Sequence, residues 1–223
     1  AVVTITRNED NGPAEDDHVG IGDSIRVELV LIGEPDDFSP KESELHLGGL
    51  PLSHKDETMT WSTELDPAVH ESFNGPRTLS GFVIDEAGNQ TSLSTLTNPV
   101  TYTLDCTPPE VSLATFSPPT GDWASVGDQL QAAISFNEPV RITSGTLTAQ
   151  AMTKDSTLTL TRHADDPEVA PGHQWTAVVA EDPAHPLPLI YTIQPKASDL
   201  AGNPWAGEDI EAFTVDLAGP VVE

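Results

Sequence analysis

The side chains best equipped for chemistry in this 223-residue chain are its carboxylates: 36 Asp and Glu stand against nine Lys and Arg, a formal net charge of −27. Carboxylates serve two chemistries above all, paired acid–base catalysis and coordination of hard cations. Here they are too many and too dispersed for a glycosidase-type pair to stand out. Some sit instead in marked contexts: Glu15-Asp16-Asp17, Asp105 before Cys106-Thr107-Pro108-Pro109, Glu138 in Asn137-Glu138-Pro139, and Asp199 with Asn203 in Asp199-Leu200-Ala201-Gly202-Asn203. Calcium takes about 6–8 oxygens, drawn largely from carboxylates and carbonyls. An EF-hand loop is excluded: counting from Asp17, Val19 and Ile21 fall where side-chain oxygens are required.

Other chemistries find less support. The seven histidines are scattered with no His-x-x-x-His pair, and a lone Cys106 permits neither an internal disulfide nor a cysteine zinc site. Ser24, with Asp182-Pro183-Ala184-His185, offers residue types for a hydrolase. A serine nucleophile of that kind sits at a strand-to-helix turn, whereas Ser24 opens an alternating strand, so no enzyme is expected. The negative charge argues against nucleic acid and anionic membranes, which need Lys and Arg. No apolar run approaches the ~20 residues of a membrane-spanning helix.

The elements that must position these groups are strands. Twenty prolines and 16 glycines leave little room for helices, and period-two alternation recurs. In Ser24–Ile32, Ile25, Val27, Leu29 and Leu31 share one face; in Gln129–Phe136, Leu130, Ala132, Ile134 and Phe136 do so. The expected fold is all-β, an antiparallel sandwich. The chain also repeats itself. Gly22-Asp23 matches Gly127-Asp128, Asp85-Glu86-Ala87-Gly88-Asn89 matches Asp199-Leu200-Ala201-Gly202-Asn203, and Tyr102-Thr103-Leu104-Asp105 matches Phe213-Thr214-Val215-Asp216, at offsets of 105, 114 and 111 residues. Two modules follow, 1–107 and 108–223, joined at a stiff Pro108-Pro109 linker. Acidity is shared between them, net −15 and −12. Position 129, equivalent to Ser24, is Gln, so the repeat lacks the nucleophile.

"VGDQLQAAISFNEPV", "YTIQPKASDLAGNP" and "FTVDLAGP" resemble the bacterial Ig-like repeats of large extracellular adhesins; "IGDSIRVELVLIGEP", "GFVIDEAGNQTS" and "YTLDCTPPEV" form a looser first copy. The linker departs from the usual Asp-Thr-Thr-Pro-Pro in carrying Cys106. The resemblance implies two tandem Ig-like β-sandwich domains, a cell-surface or extracellular location, neighbouring modules of the same chain as partners, and calcium as cofactor. In a seven-strand Ig-like sandwich the B–C and F–G loops share the end where strand A begins, and the A–B loop lies opposite. Glu138, Asp199 and Asn203 of the second module and Glu15, Asp16 and Asp17 of the first should then face the joint, with Asp105 on the linker. The competing reading is an ordinary solvated acidic surface, and for Asp-x-Ala-Gly-Asn a structural hairpin turn. The last residues, from Asp216, read as a further linker, as in a longer array.

The expected function is therefore a non-catalytic extender of a surface or secreted adhesin, monomeric, stiffened by calcium; two sandwiches end to end would reach roughly 80 Å. The alternative is a carbohydrate- or ligand-binding accessory module. Trp61 and Trp175 lie in alternating runs and are expected in the core. Trp123 and Trp205 lie in Pro/Gly-bounded loops, where an exposed ring could stack on a sugar. The inserts Glu34–Glu44 and Asp165–His173 differ between the modules; they are expected to be loops and to hold any specific ligand site.

Overall fold

The computed structural model describes residues 2–6, 17–28, 43–54, 60–65, 70–93, 100–153, 155–182, 184 and 188–218. Glu15 and Asp16 lie outside them. The chain forms two compact units: Ala1–Thr107 with Leu200–Asn203, and Pro108–Asp199 with Pro204–Glu223. The fold is all-β. Among the described residues no helix is long and apolar enough to cross a membrane.

The first unit holds β1 (Val2–Thr6), β2 (His18–Val19), β3 (Ser24–Glu28), β4 (Glu44–Leu47), β5 (Leu50–His54), β6 (Thr60–Glu64), β7 (Gly75–Ile84), β8 (Gln90–Ser92) and β9 (Thr101–Leu104). They hydrogen-bond in the order β1-β3-β6-β5-β4-β7-β9-β2, with β8 on β7. The second unit holds β10 (Val111–Ser117), β11 (Trp123–Ser125), β12 (Gln129–Ile142), β13 (Thr146–Ala151), β14 (Thr157–Arg162), β15 (Val169–Val178), β16 (Leu189–Ile193), β17 (Ala197–Ser198) and β18 (Ile210–Asp216). Its order is β10-β12-β15-β14-β13-β16-β18-β11, with β17 on β12. Position for position, the two paths are the same.

The expectation of purely antiparallel sheets is corrected at one place in each unit. β2 runs parallel to β9 and β11 parallel to β18. In each unit the chain starts on one edge of the path and then crosses to the opposite edge, where it pairs with the final strand.

Alternation builds each core. Ile25 and Val27 point inward from β3, and Leu130, Ala132 and Ile134 from β12. A tryptophan fills the same place twice: Trp61 lies opposite Val27, and Trp175 opposite Ala132. Both are buried, at 0% and 1% exposure. Cys106 follows Asp105, the residue after β9, and Leu217 follows Asp216, the last residue of β18; both are buried in their own core. Cys106 is thus an apolar core residue, placed where its thiol is shielded from solvent.

Two boundaries differ from expectation. Asp165–His173 is only partly a loop, because Val169–His173 opens β15. Glu44 is likewise the first residue of β4. Glu138 lies within β12 rather than in a loop after it. The β12–β15 register shifts between Ser135 and Val140, so Glu138 occupies an irregular, bulged stretch.

Candidate metal centre

The repeated Asp-x-Ala-Gly-Asn segment behaves differently in its two copies. In the first, Asp85 and Asn89 satisfy one another. The Asn89 backbone N–H donates to Asp85 Oδ1 and its Nδ2 to Oδ2, both at 2.7 Å. Gly88, at φ +84°, makes the tight reversal. Those donors, the Asn89 side chain first, hold the Asp85 carboxyl below its ordinary value. The segment is exposed and forms a turn, as the structural reading of this motif expects.

In the second copy the same residue types are turned to other partners. Asn203 is fully buried. Its Oδ1 accepts the Ile21 N–H, and its Nδ2 donates to the Asp105 carbonyl at 2.8 Å. Leu200–Asn203 thus belongs to the first unit by contact, though it follows 92 residues of the second. Gly20 is the complementary concession: a Cβ there would collide with the Ala201 carbonyl and Asn203 Oδ1.

Asp199 is fully buried in the second unit, directly after β17. β17 pairs with the end of β12, Arg141 opposite Ser198 and Ile142 opposite Ala197. That pairing brings the bulged Glu138 close: the Glu138 and Asp199 carboxylate oxygens lie within 4.8 Å of each other. Two carboxylates at this range repel unless a cation or a proton stands between them. Their hard anionic oxygens are the donors calcium selects, and carbonyls and water can complete the shell.

Asp105 and Asp17 lie in the first unit. Asp105 forms an Asx turn, with Oδ1 accepting the Thr107 N–H at 3.0 Å and Asn74 Nδ2 at 3.2 Å. Asp216 repeats the turn at the end of the second unit, accepting the Ala218 N–H at 3.1 Å. Asn74 also donates to Thr107 Oγ1 and accepts the Cys106 N–H, fastening Asp105–Thr107. Burial pushes the Asp105 carboxyl up, against the Thr107 hydrogen bond and the charge of His18. Asp17 is exposed and pairs with His18 Nδ1 at 2.9 Å.

A pH expectation follows from Asp105. A carboxyl raised in the fold binds its proton more tightly there than in the unfolded chain. Its contribution is largest at low pH and is lost as pH rises through the raised value. Asp105→Asn keeps the acceptor for Thr107 and removes the ionisation. In calcium-free buffer at neutral pH it should raise the first unit's melting temperature by about 2 °C, allowing for partial exposure. At acid pH below the raised value the difference should vanish, as read by calorimetry at both pH values.

His173, read from the sequence only as the end of an insert, is buried. Its Nδ1 faces Asp166 Oδ2 and its Nε2 the Val140 carbonyl, each at 3.2 Å, so one ring ties the His163–Asp166 turn to β12. The signal available was modest: a histidine on the inward phase of a strand, with an aspartate seven residues before it.

No family model and no curated protein matches this chain. Among solved structures it is similar to a structure described in work on host cell surface retention of a 1.5-MDa bacterial ice-binding adhesin, at 17% identity and TM-score 0.44, covering 97% of this chain and 64% of that one. A Ca2+-stabilized adhesin of an ice-binding Antarctic bacterium gives 16% identity and TM-score 0.45, over 97% of this chain and 49% of that one. Rst D1-D2 gives 10% identity and TM-score 0.37, over 96% and 99%. The chain thus spans less than two thirds of the first two. Similarity this distant carries no functional conclusion.

Proposed function

We propose that this chain is a pair of Ig-like extender modules from a bacterial cell-surface or secreted adhesin, non-catalytic and stiffened by calcium. The observation that carries the reading is the repetition of one eight-strand order in two separate cores. In each unit the first four strands of the path and the next three correspond to the ABED and CFG sheets of an Ig-like sandwich. The added edge strand pairs with G. The sequence resemblance points the same way. Duplication of a framework, with acidity spread over both copies, suits a spacer more than a single reaction centre.

Calcium is assigned to Glu138 and Asp199, the two carboxylates that the second unit brings within 4.8 Å of each other. When bound, the ion would neutralise this pair and fasten the bulged stretch of β12 to the residue that follows β17.

Extracellular calcium modules bind at about 10⁻⁴–10⁻³ M. A ligand at roughly 10–100 times its dissociation constant adds about 1.4–2.7 kcal/mol to stability. At roughly 10 mM calcium the second unit should therefore melt about 5–15 °C higher than in chelator. Glu138→Gln with Asp199→Asn should abolish the rise. A chain indifferent to calcium, or a rise that survives in the double variant, removes the metal from the proposal. Small-angle scattering tests the extender part: a maximum dimension near ~80 Å is expected in calcium, and a near-spherical particle contradicts it.

A further inference from the structure

The outward face of the second unit has a character that the shared framework does not require. β13 and β14 bury Leu147, Ala149, Ala151 and Leu160, and expose Thr146, Thr148, Gln150, Thr157, Thr159 and Thr161. Strand pairing sets these into rows: Thr146 opposite Thr161, Thr148 opposite Thr159, and Gln150 between Thr157 and Thr192. All six outward positions are neutral, in a chain of net charge −27. Beside them, across β13 and β16, lies a groove of about 320 Å3, lined by Thr148, Gln150, Thr192 and Gln194 with Lys196 and Asp209 among its walls.

Farther across the same face the character becomes apolar. Ile190 pairs with Thr214, and Thr214 with Trp123. Trp123 is 62% exposed, and Met152, whose N–H donates to the Ile190 carbonyl, is 61% exposed. The first unit supplies an internal comparison. By the same pairings, Glu44, His46 and Pro51 stand where Thr146, Thr148 and Thr159 stand here, and His18 stands in place of Trp123. The hydroxyl face and the tryptophan are therefore additions to the second copy, not parts of the fold.

We propose that this face binds a neutral saccharide chain. Threonine hydroxyls and glutamine amides donate and accept hydrogen bonds without the cost of desolvating a charge, which matches a ligand covered in hydroxyls. An exposed indole farther along the same face, on β11 beyond β16 and β18, offers a flat apolar surface to the C–H face of a sugar ring in an extended chain. The strong negative charge of the whole chain selects against anionic polymers, so uncharged glycans are the class that fits.

The proposal does not depend on calcium or on the extender role, and its test separates them. Affinity electrophoresis of the intact chain through gels containing dextran, mannan or galactan, with heparin as the anionic arm, reads binding directly. We expect retardation by at least one neutral polysaccharide, unchanged by chelator and by raising salt, since no ion pair is involved. Thr148→Glu and Trp123→Ala should each weaken it roughly tenfold or more, with melting temperature unchanged for Thr148→Glu. His46→Glu, at the matching site of the first unit, should leave it intact. Passage through all three neutral gels without retardation overturns the proposal. So does retardation by heparin alone, or retardation that both second-unit variants preserve.

Discussion

Trp175→Ala lowers the melting temperature of the second unit by about 15–25 °C and leaves the first unit's transition in place. Trp175 is 1% exposed and faces Ala132 across β12 and β15, inside a core that shares no buried residue with the other. Truncating a buried tryptophan costs about 3–5 kcal/mol, and for a domain near 110 residues each kcal/mol moves the midpoint by about 4–6 °C. Trp61→Ala should do the same to the first unit alone. Calorimetry of the two variants reads both effects in one scan each. A single transition that moves as a whole in either variant would mean the two cores melt as one, and the modular reading would fail.

Gly81→Ala should prevent the first unit from folding stably, with a cost above about 3 kcal/mol. Gly81 sits in the middle of β7, opposite Leu45, at φ +125°. A Cβ there would run into the Glu44 carbonyl oxygen, with the Leu45 Cα also at 3.0 Å. Backbone strain and a backbone clash therefore add. Gly88→Ala is the matched comparison. Gly88 also has a positive φ, +84°, but a Cβ there meets nothing within 4 Å. It should cost only the strain, about 1–2 kcal/mol. Denaturant unfolding of the two variants separates the terms; equal losses would show that the close β4–β7 approach is not a constraint.

The fold was legible where local chemistry decides it. Alternation exposed β3, β14 and most of β12, because burying one face of a strand demands a period of two. The duplication was legible because the turn residues Gly22 and Gly127 are tied to a backbone conformation, φ +79° and +92°, that few other residues adopt. The β4–β5 hairpin was not read. Its strands are four and five residues long, joined at Gly48-Gly49, and Pro51 interrupts the second.

The candidate site was legible in its residue types and not in its geometry. Asp85/Asn89 and Asp199/Asn203 look alike in sequence, yet one pair closes on itself while Asn203 reaches Ile21, 182 positions away. Nothing in the pentapeptide distinguishes a local partner from a distant one. Glu138, with Pro139 after it, was expected in the B–C loop that follows the alternating run Gln129–Phe136. In the fold, the strand accommodates both by bulging.

Each unit closes with a parallel edge, β2 on β9 and β11 on β18. If a chain carrying these units is pulled by its ends, the entering and leaving strands are drawn along their common axis in opposite directions. The bonds between them are then sheared together instead of peeled apart one after another. These pairs, His18 with Thr103 and Val19 with Leu104 in the first unit and Trp123–Ser125 with Thr214–Asp216 in the second, should therefore act as the mechanical clamp of each unit under tension.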